Sequence, residues 1–420
     1  MQQEQNPTNW RWQMRNRIHT VEDLAQYITP TEDELQAIRA TEGIFRWNIT
    51  PYYASLMDPH DPNCPIRQHV VPRMSEMAPD IVGVVDPLEE VAHSPVKNLI
   101  HNYKDRVAFC VTAECALYCR YCLRKRMVGD ADFFLNKAEL QDAIDYLAAH
   151  PEIRDVLLTG GDPLIFSDVN LEWLISRLRA IPHLQIIRIG SRLPVTLPYR
   201  ITDELVNMLA KYHPIWLNTH FNHPKELTPE AQNAVDKLLR AGIPVGNQAV
   251  LLKGLNDDIT VIKELCEKLI SYRLRPYYLY QAQLIGGTAT FRTSIEKGMA
   301  IMEALQGNTS GYAIPKYVLD TPYGKVPMNR SYLIGRAGDY VVMRTPRETL
   351  WAEPNPIPPD EEAYRRMLPE IPLPAGIATI PIGAPTFVPT ATENRLEAVH
   401  ECLTNEAESL QEQKRESGLD

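Results

Sequence analysis

The sequence predicts an α/β fold built as a partial (β/α)6 barrel, and three observations carry that prediction. Short β-rich runs recur about thirty residues apart, the size of one βα unit. They are Val107 to Val111, Asp155 to Thr159, Gln185 to Ile189, Pro214 to Thr219, Ile243 to Leu251 and Pro276 to Tyr280. Between them lie segments with apolar residues at three-and-four spacing: Leu140, Ile144 and Leu147, then Leu171, Leu174 and Leu178, then Ala231, Ala234, Val235 and Leu238. Strand then helix, repeated, gives a parallel sheet. The third observation is that cysteine- and glycine-bearing loops follow the ends of the first two runs, where barrels keep their reactive groups.

The flanks read differently. Residues 1–100 carry Trp10, Trp12, a helix-like segment from Val21 to Ala40 and a Pro-containing stretch from Pro51 to Pro95, and predict an N-terminal helical and irregular wrap. Residues 101–350 hold the barrel. In 351–420, ten prolines between Pro354 and Pro389 disfavour regular helix and central strand, which predicts an extended arm. The acidic segment Glu393 to Lys414 is helix-prone, and a dimer contact and a loosely tethered surface helix fit it equally.

Composition excludes several classes. With 44% hydrophobic and 23% charged residues the chain can bury a large core. No apolar run approaches the ~20 residues of a membrane span. A net charge of −10 argues against a nucleic-acid surface, which needs clustered Lys and Arg. Seven cysteines without a cationic, apolar leader point away from a secreted disulfide protein and toward a reducing cytoplasm.

Three of those cysteines, Cys115, Cys119 and Cys122, stand at CxxxCxxC spacing. Three thiolates can hold three irons of a [4Fe–4S] cluster and leave the fourth open, whereas electron-transfer clusters use four cysteines. A structural zinc site wants four closed ligands, and no second Cys or His pair follows. Cys110 lies in the apolar run Val-Ala-Phe-Cys-Val and reads as a buried small hydrophobe. The spacing resembles the radical S-adenosylmethionine (SAM) signature, in which the amino and carboxylate groups of SAM bind the open iron.

One βα unit later, Thr159-Gly160-Gly161-Asp162-Pro163 places two glycines where backbone must approach a ligand closely and an acid that can accept from an ammonium group. Arg120, Arg124, Lys125 and Arg126 form the dense basic patch. Beside the cysteines they read as cations facing an anionic substrate, against the bland reading of a solvated charge run. Arg124 suits a carboxylate because its planar fork can bind both oxygens. Farther on, Asp320-Thr-Pro-Tyr323-Gly324-Lys325 sets a lysine in a tight turn.

From Trp10 to about Tyr340 the chain resembles the lysine 2,3-aminomutase family of radical SAM, pyridoxal-phosphate-dependent enzymes. Matching stretches include Trp10 to Arg17, Ile49 to Tyr53, Asp155 to Leu164, Arg188 to Arg192, Trp216 to Pro224, Gly246-Asn-Gln248, Phe291-Arg-Thr293 and Thr309 to Tyr312. The resemblance implies an isomerase that moves the α-amino group of an amino acid from C2 to C3. It implies a [4Fe–4S] cluster on Cys115, Cys119 and Cys122, with SAM held by Gly160, Gly161, Asp162 and Gln248. Pyridoxal phosphate would be bonded to Lys325, with Tyr103 and Arg106 at its phosphate and Asn102 where the lysine enzymes have another arginine. The substrate carboxylate falls to Arg124.

Two departures narrow the reading. Lysine enzymes hold the remote ammonium with two aspartates; here Asp320 keeps the second and Gln283 replaces the first. Glutamate-specific relatives use a lysine and an asparagine, a pattern this chain does not follow. L-Lysine therefore leads as substrate, with arginine, another polar amino acid and glutamate as alternatives. Asp258 stands where lysine enzymes carry a zinc-binding cysteine, so no structural zinc is expected. The implied partners are a small amino acid, a low-potential electron donor of flavodoxin or ferredoxin type and a second copy of the chain in a homo-oligomer. The competing readings are an isomerase acting on a lysine residue of a translation factor and a non-catalytic iron–sulfur carrier.

Overall fold

A computed structural model describes residues 6–383. Its centre is a nine-stranded sheet in sequence order: β1 (Leu99–Tyr103), β2 (Arg106–Thr112), β3 (Asp155–Gly160), β4 (Ile186–Gly190), β5 (Ile215–Thr219), β6 (Val245–Leu251), β7 (Arg275–Gln281), β8 (Lys316–Thr321) and β9 (Gly324–Pro327). Strands β2 to β8 are parallel, while β1 and β9 run antiparallel at the two ends. The expected six βα units are present, and the repeat count missed a seventh parallel strand, β8. Its apolar core is only Tyr317-Val318-Leu319, and the turn at Pro322 ends it after two more residues.

Each of the six units closes with a helix: Lys137–Ala149, Asp168–Arg179, Asp203–Ala210, Pro229–Arg240, Ile259–Ser271 and Ile295–Leu305. Every one starts on a side chain that accepts a backbone N–H, from Asn136, Ser167, Thr202, Thr228, Asp258 and Ser294 in turn. Such caps satisfy the donors that a first helical turn leaves open. Asp258 is thereby committed to the helix it begins. The apolar positions read from the sequence, Leu140 to Leu238, are all buried in the main core. Strand alternation sorts the other face: Val245, Ala249 and Leu251 of β6 join that core, whereas Gln248 and Val250 line a cavity.

The N-terminal residues form short helices joined by irregular segments. The helix expected from Val21 to Ala40 is two helices, Val21–Leu24 and Glu32–Ala40, because Thr29-Pro30-Thr31 interrupts it and Thr31 opens the second with a capping box. The wrap docks on the loops at the strand ends: Thr50 Oγ1 donates to Thr196 O at 2.6 Å and Tyr53 Oη to Glu226 Oε1 at 2.7 Å. At the other end, β10 (Leu333–Ala337), β11 (Tyr340–Arg344), β12 (Leu350–Pro354) and β13 (Ala378–Thr379) make a second sheet. The arm is more regular than its prolines suggested, since Pro359–Met367 forms a 3-10 helix. Glu361 there accepts from Ser294 N at 2.7 Å and Ser294 Oγ at 2.6 Å, fastening the arm to the start of the last barrel helix. The acidic segment Glu393 to Lys414 lies outside the described residues.

Candidate active site

A cavity of about 660 Å³ opens at the ends of the parallel strands. It is lined by all thirteen residues singled out above: Cys115, Cys119 and Cys122; Gly160, Gly161, Asp162 and Gln248; Arg124, Gln283 and Asp320; Tyr103, Arg106 and Lys325. Positions more than two hundred residues apart in sequence thus meet in one space.

At one pole, the cysteine loop rests on the glycine turn. Gly161 N donates to Thr112 O at 2.5 Å and Asp162 N to Glu114 O at 2.8 Å. A Cβ on Gly161 would lie 2.2 Å from Glu114 O, and one on Gly160, whose φ is +118°, would lie 2.4 Å from Thr112 O. The glycines are therefore required by backbone packing under Cys115, a different cause from the ligand approach expected. Asp162 differs too. Its carboxylate accepts from Leu164 N at 3.1 Å and Arg192 N at 2.8 Å, so it ties this turn to the end of β4. Burial still pushes it up to about 6.

The three thiols line the same space. Burial, Asp162 and the two other thiols push Cys115 well up, and burial with Cys119 raises Cys122 to about 11. Cys110 is 1% exposed in β2, as its apolar run predicted, and is raised to about 11 by burial. Among the described residues no three His, Cys, Asp or Glu side chains converge on a single-ion site. Arg192 Nη1 donates to Cys119 Sγ at 2.7 Å, and its Nη2 donates to Glu226 Oε1 at 2.7 Å and Tyr53 Oη at 3.1 Å.

The basic patch is neither a solvated run nor a set of free cations. Arg120 pairs with Glu76 at 2.7 Å and Lys125 with the same carboxylate at 2.9 Å. Arg126 reaches Asp86 at 3.2 Å and Glu90 at 3.1 Å, and Arg124 reaches Glu90 at 2.7 Å. All three counterions come from the N-terminal wrap. Burial and neighbouring Arg120 bring Lys125 down to about 8 despite Glu76. Arg124 and Glu90 are the members of this group that line the cavity.

At the other pole, β8 and β9 form a tight hairpin in which Asp320 sits opposite Lys325. Lys325 Nζ lies 2.7 Å from Asp320 Oδ1 and 5.4 Å from the centre of the Tyr280 ring. Asp320 and the Tyr280 and Tyr103 hydroxyls push the Lys325 ammonium upward against its burial. Gln283 Nε2 donates to Asp320 O at 3.1 Å. Tyr103 Oη accepts from Lys325 N at 2.8 Å, and the Arg106 guanidinium stacks 3.8 Å over the Tyr103 ring while pairing with Asp105. Asn102 donates to Pro322 O at 3.0 Å, and Arg347 donates to Asn102 O at 2.5 Å.

Sequence reasoning gave no role to Glu90, Arg192, His220 and Tyr280, which also line the cavity. Arg192 and His220 lie inside the stretches Arg188 to Arg192 and Trp216 to Pro224, but a lone Arg or His carries no spacing of its own. Burial lowers His220 to about 3, which keeps it neutral, and Tyr121 Oη sits 3.2 Å from its Nε2.

Comparison with known proteins follows the same division. The profile of the Radical SAM superfamily matches residues 109–266, and that described as Lysine-2,3-aminomutase matches residues 302–417. The chain is 50% identical to the L-lysine 2,3-aminomutase of Clostridium subterminale over 80% of its own length and 81% of that protein. It is 46% identical to the L-lysine 2,3-aminomutase of Bacillus subtilis (strain 168), covering 86% of this chain and 78% of that one. The glutamate 2,3-aminomutase of Clostridioides difficile (strain 630) is also 46% identical, over 81% of each.

Proposed function

Because this chain belongs to the lysine 2,3-aminomutase family of the radical SAM superfamily, we propose that it converts L-lysine to β-lysine by moving the α-amino group to C3. The observation that carries the reading is the meeting of the three-cysteine loop, Arg124, Asp320 and Lys325 in one cavity. Family membership makes the chain an isomerase that uses a [4Fe–4S] cluster, SAM and pyridoxal phosphate.

The residues fit those groups. Cys115, Cys119 and Cys122 would hold three irons, and iron stabilises as thiolates such donors as Cys115 and Cys122, whose ionisation burial disfavours. Gly160, Gly161, Asp162 and Gln248 would border SAM. Lys325 would bond pyridoxal phosphate, with Tyr103 and Arg106 toward its phosphate. When bound, the cluster and SAM supply a carbon radical that takes a hydrogen atom from C3, and pyridoxal phosphate carries the migrating nitrogen.

The chain's own residues bind and orient. Arg124 takes the substrate carboxylate in exchange for Glu90, which keeps Arg126 as its partner at 3.1 Å. Gln283 and Asp320 face the remote ammonium, one amide and one countercharge. The strand-end loops and the docked wrap keep bulk water from the reacting carbons. A glutamate substrate would set a second carboxylate against Asp320, at the cost of an unpaired like charge. A low-potential donor of flavodoxin or ferredoxin type, a homo-oligomeric assembly and a cytoplasmic location complete the reading. In its support, no helix of the described residues is long and apolar enough to cross a membrane. Reduced, reconstituted enzyme incubated with a panel of amino acids tests the proposal by mass detection of β-amino acids. β-Lysine is the expected product, and turnover of glutamate but of neither lysine nor arginine would overturn it.

A further inference from the structure

Five acids line the cavity, and four of them have partners that are not themselves reactants. Glu90 is divided between Arg124 and Arg126, and Asp105 pairs with Arg106 at 2.7 Å. Asp155 pairs with Arg188 at 2.8 Å, and Asp162 accepts backbone N–H groups. The fifth, Asp320, is paired with Lys325, whose amine is itself a reactant on the reading above.

We infer that Lys325 occupies the subsite for the substrate's remote cation in the cofactor-free chain, so that Asp320 becomes available to a cationic side chain only after Lys325 has been joined to pyridoxal phosphate. The inference rests on the proposed role of Lys325. It adds an order: the cofactor builds the cation subsite, then a basic amino acid enters.

The chemistry requires the exchange. To attack the aldehyde carbon of pyridoxal phosphate, the Lys325 ammonium gives up one proton to solvent. The C=N bond then forms and the aldehyde oxygen leaves as water. Asp320, whose side chain is 16% exposed, loses the ammonium 2.7 Å away, and a partly buried carboxylate left without its cation is disfavoured. The groups that face Lys325 from the neighbouring strands, Tyr278 and Tyr280 of β7 and Tyr103 of β1, are neutral hydroxyls, and Gln283 is a neutral amide. None of them can replace the lost charge. An incoming cation can, and the first of the two aspartates used by the family's lysine enzymes is here Gln283, so the whole burden falls on Asp320.

The test uses 5-guanidinopentanoate, which carries a carboxylate and a remote cation but no amine able to form an imine. Its binding is measured by calorimetry on full-length, cluster-reconstituted enzyme in the presence of SAM. PLP-loaded wild type should bind it at least tenfold more tightly than PLP-free wild type, while pentanoate, lacking the cation, shows no such gain. Lys325→Ala without PLP should recover the tight binding, because Asp320 is then unpaired. Asp320→Asn should bind the probe weakly with and without PLP. By thermodynamic reciprocity the probe must also tighten PLP loading of wild type by the same factor, read from the cofactor's visible absorbance. Equal binding to the loaded and PLP-free wild type overturns the inference, as does an equal gain for pentanoate. If PLP labels a lysine other than Lys325, the role proposed for Lys325 fails first, and the two failures are distinguished by peptide mapping after borohydride reduction.

Discussion

The two poles of the cavity are built in opposite ways. The cysteine pole is assembled from neighbours in sequence: the loop from 113 to 129 leaves β2, lies on the glycine turn after β3, and is clamped by buried carboxylates of the wrap. The lysine pole joins the two ends of the sheet, where β1 and β9 meet through Tyr103 and Lys325 rather than through a ladder. At the first pole several ion pairs hold the loop to the wrap; at the second a single pair, Lys325 with Asp320, spans the hairpin.

The comparison is broken most severely by taking one reactive group from each pole. Cys119→Ala should abolish 5′-deoxyadenosine formation while pyridoxal phosphate still labels Lys325. Lys325→Ala should remove the cofactor's visible absorbance while iron and sulfide content stay unchanged. Loss of both signals in either variant would mean that the poles are not independently built.

Next in size is the clamp. Glu76→Gln leaves Arg120 and Lys125 buried without their counterion. Breaking a buried pair from one side costs about 3 to 5 kcal/mol. The urea midpoint should fall accordingly, and iron should be lost more readily. A change under ~1 kcal/mol, the scale of an exposed pair, would show that the clamp is solvated.

Behind the lysine pole, Gln281 separates the cavity from a second pocket lined by Glu353 and Asn355. Burial raises Glu353 to about 7 from 4.5, against its bond from Trp351 Nε1. The folded chain therefore keeps a proton that the unfolded chain has released, and stability is fully present below about pH 4.5 and declines as pH rises to about 7. The amount is about 3 kcal/mol at most, from a shift worth about 1.4 kcal/mol per unit. Glu353→Gln should flatten stability across that pH window; an unchanged slope would place the titration elsewhere.

The smallest effect belongs to the seam. Tyr103→Phe deletes one hydrogen bond to Lys325 N and should cost about 1 kcal/mol. Weaker PLP retention without any change in cluster content would sharpen the distinction between the poles.

How much of this was legible follows the same line. Cys115 to Cys122 and Gly160 to Asp162 are contiguous motifs whose spacing is their chemistry, and six of the seven parallel strands announce themselves by repetition. Lys325 was legible only through family resemblance, because Gly-Lys in a turn has no intrinsic meaning. Glu76, Asp86 and Glu90 were not legible at all. They lie some thirty to fifty residues from the cations they neutralise, in a Pro-containing stretch without periodicity, and only the tertiary fold pairs them. The missing pairing is why the basic patch was read as open to substrate. The glycines were found for an incomplete reason, since a sequence shows that backbone must come close but not what it comes close to.

An unclosed sheet ordinarily leaves two strand edges whose N–H and C=O groups can recruit another chain and seed aggregation. In this barrel the edge strands are turned toward each other. Asn102 of β1 donates to Pro322 O next to β9, Tyr103 caps the Lys325 amide, and Arg347 covers the carbonyl of Asn102. A few side chains thereby occupy the seam between the two edge strands, where a closed barrel would have a ninth-to-first-strand ladder.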